Sequence, residues 1–292
     1  MRRGHCAPRL IHEPTNDEMS EDGLGPLAPP DWLREHSDLG SRGIKLSTPL
    51  KPFCVWRTYS NRWTPPYAVK IVPSDSEEAD IYERLHRLDP TSPNHTLPCD
   101  VIHAKQAFLI MPCLDTILYH PVCRGRGLLP LLAFFRQVME GIEFLHERNI
   151  AHMDMYHGQV VVASERHVAF HKEVQAGKAY IIDFDRSKCL KSGPGIQHAI
   201  DYCKPPLGMT QFDPYSWDVY CTGILFDTVT KDIYSERHIP WVVRRYIKWL
   251  VGNERGCARI CSCRPSARRA RQMLGVIHWA ACVWERAAVC LS

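Results

Sequence analysis

The stretch from Ile150 to Arg186 opens as I-A-H-M-D-M-Y-H-G-Q-V-V-V (150–162) and closes as A-Y-I-I-D-F-D-R (179–186). Two short apolar runs each carry an embedded carboxylate, Asp154 and Asp183. A carboxylate without a partner is costly to bury, so an Asp beside a β-like run belongs at a turn or against a cation. Gln159 to Ala163 and Lys178 to Ile182 are predicted to face each other as strands across an insert at 164–177. Asp154 then lies in the loop before one strand and Asp183 just after the other. Both carboxylates open on the same side, which marks a candidate site.

Working outward, Leu128 to Arg148 carries Leu128, Leu131, Leu132, Phe135, Val138, Met139, Ile142 and Leu145 at helical spacing. This helix is long enough to span a core and delivers the chain directly to His152 and Asp154. Pro214 to Thr230 reads as a second buried helix with Asp218 embedded in it. Backbone N–H groups, an arginine or a histidine must take that carboxylate. After Met273 a terminal helix with apolar residues on nearly all sides is expected, packed on the rest of the chain or serving as an interface.

Towards the N-terminus, Phe53 to Tyr59 and Pro66 to Val72 are predicted strands, followed by Val101 to Ile102 and Ala107 to Met111. In P-Y-A-V-K-I-V (66–72), Lys70 shares a face with Ala68 and Val72. A lysine there is ordinarily solvated. The next segment is a helix with Ser74 or Ser76 as cap and Ile81, Leu85 and Leu88 on one stripe. Glu78 leads that stripe and is placed to reach Lys70, with Glu77 and Glu83 as alternatives. Residues 1–45 mix Pro, Gly and charge without a period and read as a poorly ordered arm, with a short helix near Asp31 to His36 that Asp31 could cap.

The fold class read from this order is α+β, with a small strand-rich N-terminal unit holding one main helix (46–112) and a larger, mostly helical unit (113–292). The 292 residues carry 36 basic and 32 acidic side chains, a net charge of +4, with no long basic stripe to bind nucleic acid. The Arg264 to Arg271 cluster reads as a solvated helix face. No apolar run is long enough to span a membrane, and the first ten residues lack the apolar region of a secretory signal. A cytoplasmic or nuclear protein is expected. The thirteen cysteines are scattered; C-A-R-I-C-S-C (257–263) is the one tight group and matches no recognised zinc spacing.

Taken together, A-V-K (68–70), H-M-D-M-Y-H-G-Q (152–159), D-F-D (183–185), D-V-Y-C-T-G (218–223) and R-P-S-A (264–267) resemble, in order and spacing, the motifs of eukaryotic-type protein kinase domains. The degenerate spelling is similar to kinase-like proteins of fungal proteomes. The resemblance implies a bilobal fold, ATP and Mg2+ as cofactors, and a protein substrate or protein partner acted on at Ser or Thr hydroxyls. It implies that Lys70 holds the α and β phosphates, oriented by Glu78, and that Met111 is the gatekeeper beside a hinge at Pro112, Cys113 and Leu114 that meets adenine. It further implies that Asp183 ligates magnesium, that Gln159 stands at the second metal position, and that Asp154 is the base or orienter for the incoming hydroxyl; hydrogen-bond acceptance alone would ask only a normal carboxylate pKa of Asp154. Asp218 would secure the loop around Asp154, and Arg264 would hold the activation segment, Ser187 to Pro206, before the Asp218 helix.

The chemistry asks for the same residue types independently. Phosphoryl transfer needs positive charge over the phosphate oxygens, a carboxylate to hold magnesium and another near the nucleophile. The departures from the family pattern support a second reading, a pseudokinase that binds nucleotide or protein without transfer. No glycine occurs from Phe53 to Pro66, Met153 replaces an arginine, Tyr156 a lysine, Gln159 an asparagine and Asp185 a glycine. Around Lys204 to Leu207 the acidic partner expected for Arg264 is missing.

Overall fold

A computed structural model of the chain describes residues 27–59, 64–87, 92–117, 127–201, 211–252 and 260–291. The architecture is α+β. Strands β1 (Leu46–Lys51), β2 (Val55–Thr58), β3 (Tyr67–Ile71), β4 (Asp100–Ile102) and β5 (Phe108–Pro112) form one antiparallel sheet in the order β1-β2-β3-β5-β4. The first of these was not predicted, because L-S-T-P-L-K carries a proline and no clean alternation. It is tolerated at the sheet edge, where Pro49 has no ladder to complete on its outer side.

Period-2 alternation sorts the sheet into two faces. Val69 and Ile71 of β3 pack with Trp56, Phe108 and Ile110 on one side, while Ala68, Val72, Leu109 and Met111 turn to the other. The first face is covered from the N-terminal side. Helices α1 (Asp31–Arg34) and α2 (Ser37–Ser41) bury Leu33 and Leu39 there, and Ile44 follows them. Residues 27–45, read from the sequence as part of a poorly ordered arm, are instead tied down here by three apolar residues spaced through 33–44. Asp31 does not cap; Pro30 occupies the N-cap and Asp31 pairs with Arg34 at 2.6 Å.

The second face meets α3 (Glu78–His86), whose Ile81 and Leu85 are buried as the stripe predicts. Ser76 supplies the cap contact, its Oγ accepting the Glu78 N–H at 3.1 Å. Leu88 lies outside the described residues. From here the same apolar cluster runs without a break into the helical part. Helix α4 (Leu128–His146) stops two residues short of its predicted end and buries Leu131, Leu132, Phe135, Val138, Met139, Ile142 and Leu145. Phe135 stacks on Phe226 of a later helix with ring centroids 3.7 Å apart.

Strand β6 (Asp115–Thr116), which precedes α4, joins β8 (Val160–Val162) and β9 (Ala179–Ile181) in a three-stranded sheet, and β7 (Ile150–Ala151) pairs with β10 (Lys188–Cys189). The insert between β8 and β9 holds helix α5 (Glu165–Phe170), entered through a capping box in which Ser164 and His167 bond each other's backbone. A short pair, β11 (Ile200–Asp201) with β12 (Gln211–Phe212), leads into α6 (Pro214–Ile233), α7 (Trp241–Val251) and α8 (Ala267–Leu291). Helix α8 lies along α4, where Arg271 and Arg268 bond buried Glu143. Within the Arg264 to Arg271 face, Arg271 is thus engaged by an acidic partner, while Arg268 reaches Glu143 from a largely solvated position. Among the described residues no helix is long and apolar enough to cross a membrane.

Candidate functional site

The site forms where the second face of the large sheet meets the loops around β7, β8 and β9. Lys70 projects from the middle of β3 and is buried, which demands counter-charge. Glu78, in the first turn of α3, supplies it: Lys70 Nζ donates to Oε1 at 2.8 Å and lies 2.7 Å from Oε2. Glu77 and Glu83 are engaged elsewhere, Glu77 with Lys188 at 3.0 Å and Glu83 with His103 at 2.6 Å. The choice among the three acids follows from helix rotation, since only Glu78 faces the sheet.

Lys70 also donates to Asp183 Oδ1, so one ammonium joins a strand, a helix and the loop after β9. Glu78 Oε1 accepts the Phe184 N–H at 2.9 Å, fixing that loop from its backbone as well. Asp183 itself has a φ of +66°, a left-handed conformation that costs a non-glycine residue on the order of 1 kcal/mol or more. Phe184 offsets this by burying its ring completely, in edge contact with Tyr82 at 5.1 Å and against His152 at 5.1 Å. Gln159 Nε2 donates to Asp183 Oδ2 at 3.1 Å.

The charges shift the pKa values in ways that follow from this geometry. Burial opposes the ionisation of Asp183, yet the Lys70 ammonium, helped by Lys51 and by Gln159, carries its pKa below the usual carboxylate value. Lys70 is likewise opposed by burial and raised by Glu78 and Asp183. For Glu78, desolvation wins over Lys70 and its pKa is raised.

The loop carrying Asp154 is built from the other side. Asp218, fully buried in α6, accepts the His152 N–H at 2.8 Å and the Met153 N–H at 2.6 Å and faces His146 Nε2 at 2.9 Å. These are the partners its burial requires. His152 in turn bonds the Ile182 carbonyl through Nε2 at 3.0 Å, tying this loop to the one that carries Asp183. Asp154 is partly exposed and lies 3.6 Å from Arg186 Nη1. Its pKa is raised, because burial outweighs the pull of Arg186, which corrects the expectation of an ordinary carboxylate. Tyr156 is 46% exposed, and a Cβ on Gly158 would sit 2.5 Å from its ring, so a larger residue there would turn the ring aside.

Met111 is buried on β5 opposite Ala68. The Cys113 N–H donates to the Pro66 carbonyl at 2.9 Å, so this backbone donor is already taken, and burial raises the Cys113 thiol pKa. Arg264 bonds the Val251 carbonyl at 2.8 Å and Ser216 Oγ at 3.0 Å; Lys204 to Leu207 and Cys257 lie outside the described residues. No group of three or more His, Cys, Asp or Glu able to hold a metal occurs among the described residues.

Sequence reasoning missed Lys51, whose Nζ lies 3.4 Å from Asp185 Oδ2 and 3.7 Å from Asp183 Oδ2. Nothing in L-S-T-P-L-K signals a site. Asp185 Oδ1 is buried without a hydrogen-bond partner. The two Asp carboxylates and the Gln159 carboxamide are hard oxygen donors of the kind Mg2+ takes, so the residues present fit that ion.

No protein-family model matches the chain. Over 98 residues, 32% of the chain, it is 35% identical to the serine/threonine-protein kinase PSK1 of Saccharomyces cerevisiae, and that match covers 6% of PSK1. Over 145 residues, 49% of the chain, it is 23% identical to the serine/threonine-protein kinase oca2 of Schizosaccharomyces pombe, covering 21% of that protein. The matches therefore span well under two thirds of either relative. They give the chain a distant, kinase-like relationship to fungal serine/threonine kinases.

Proposed function

We propose that the chain is a bilobal protein-kinase-like phosphotransferase, with a small lobe at 46–112 and a large lobe at 113–292, that uses ATP and Mg2+ on Ser or Thr hydroxyls of protein substrates. The observation that carries this reading is the Lys70 ammonium held between Glu78 and Asp183 in one buried contact. In it Lys70 is a fixed positive charge for the α and β phosphates, and Asp183, with Gln159, holds the metal that supplies charge neutralisation when bound. Asp154 accepts the hydroxyl proton or orients the hydroxyl. Met111 and Cys113 line the adenine side.

Specific observations favour a second reading, a pseudokinase serving as a nucleotide-binding or protein-interaction module. Tyr156 stands where a cation would steady the transferring phosphate. No glycine lies between Phe53 and Pro66 to let backbone approach the phosphates. The two readings separate on magnesium-dependent ATP binding and turnover of the wild type beside Asp154→Asn. Transfer by the wild type, reduced about 100-fold or more in the variant, supports the phosphotransferase. ATP binding with transfer no greater than in the variant sinks it and leaves the pseudokinase. Nucleotide affinity in magnesium unchanged by Asp183→Asn removes the metal role.

A further inference from the structure

The edge of the sheet places a second lysine over the same carboxylates, and neither the motif resemblance nor the relatives assign it a role. Lys51 pairs with Val55 across β1 and β2, and Val55 pairs with Lys70 across β2 and β3. Residues in one cross-strand row point to the same face, and each strand step is about 4.8 Å. Lys51 and Lys70 therefore rise side by side from one face, two strands apart, and converge on Asp183: Lys70 on Oδ1, Lys51 3.7 Å from Oδ2.

The two differ in freedom. Lys70 is 5% exposed and locked by Glu78, whereas Lys51 is 50% exposed and sits where β1 turns into β2. That turn, P-F-C, is tight and contains no glycine; Phe53 takes a φ of +64° within it. Backbone N–H groups there cannot approach a phosphate chain as closely as a glycine-rich turn allows. A long flexible ammonium reaches where the backbone does not.

We infer that Lys51 is a phosphate-binding residue that takes over, by charge, the work of a glycine backbone cradle. Its ammonium bridges Asp183 and Asp185, the carboxylates that would hold a metal. With a metal-bound nucleoside triphosphate, Lys51 would pair with the phosphate oxygens instead.

The inference rests on the nucleotide reading above, and calorimetric titration of the full chain separates the two. Wild type, Lys51→Ala and Lys51→Arg are each titrated with Mg-ATP and with adenosine, after a thermal melt shows that all three fold. The expected result is a loss of Mg-ATP affinity of about tenfold or more in Lys51→Ala, unchanged adenosine affinity, and affinity near wild type in Lys51→Arg. Mg-ATP binding by Lys51→Ala as tight as wild type, or tighter, overturns the role and leaves Lys51 as a plug on the carboxylates. Equal losses for adenosine and Mg-ATP overturn it too, since the effect is then not on phosphate. A wild type that binds neither ligand overturns the nucleotide reading itself and this inference with it.

Discussion

Asp218 Oδ1 accepts the backbone N–H of Met153 at 2.6 Å, and Met153 is held there with a φ of +61°. A non-glycine residue adopts this conformation only when its surroundings over-determine it. The loop that presents Asp154 is therefore shaped by a helix more than sixty residues further on. Replacing Asp218 by Ala removes the acceptor for two buried N–H groups and the partner of His146, and should cost on the order of 3 kcal/mol. Chemical denaturation reads the loss, and amide exchange should accelerate at His152 and Met153 before the rest of the chain.

Asp154 carries a pH signature. Its folded pKa is raised, chiefly by burial, so ionisation is harder in the folded chain than in the unfolded one. For an acid shifted in this direction, stability falls as pH rises from the unfolded value, about 3.9, through the folded one. Asp154→Asn should therefore raise the melting temperature at pH 7 relative to wild type, with the difference disappearing below pH 3. In any transfer reaction the acid limb of the pH profile should lie above the usual aspartate range and move higher still in Arg186→Met, because Arg186 holds the value down.

Gly141 marks the point where α4 touches the strand leading to Asp183. A Cβ there would meet Ile181 Cδ1 at 2.7 Å and His95 Cβ at 2.9 Å. Alanine gains about 1 kcal/mol of helix propensity, but the overlap forces a shift in a packed layer that costs about 1–3 kcal/mol. Gly141→Ala should therefore be neutral to destabilising in urea, where the same change at an open helical site would stabilise.

Glu143 is 6% exposed on α4 and takes both Arg271 and Arg268 from α8. Glu143→Ala leaves Arg271 without its acceptor and should lower stability by about 1–3 kcal/mol, and Glu143→Gln by less. Limited proteolysis should cut within α8 sooner in the alanine variant, because this contact is part of what holds the helix down.

Much of the fold was legible in local pattern. The spacing of Leu131, Phe135, Val138 and Ile142 marked α4, and alternation around Lys70 told which neighbours share its face, because helix and strand periods are properties of the chain alone. The burial of Asp218 against backbone N–H groups also followed from its place in an apolar helix. What the sequence could not settle depends on partners far along the chain. Three adjacent or nearby acids, Glu77, Glu78 and Glu83, are equivalent in composition, and only the packing of α3 on the sheet hands Lys70 to Glu78. The packing of residues 31–44 needed an apolar sheet face to receive Leu33 and Leu39. The raised pKa of Asp154 needed its actual burial, which outweighs the pull of Arg186. Lys51 is the clearest case, since no motif marks it and its approach to Asp183 exists only through the register of three strands. Sequence by itself determined which residues seek burial and which seek charge; tertiary structure decided which of them meet, because contact between distant residues depends on pairing and packing that no local period encodes.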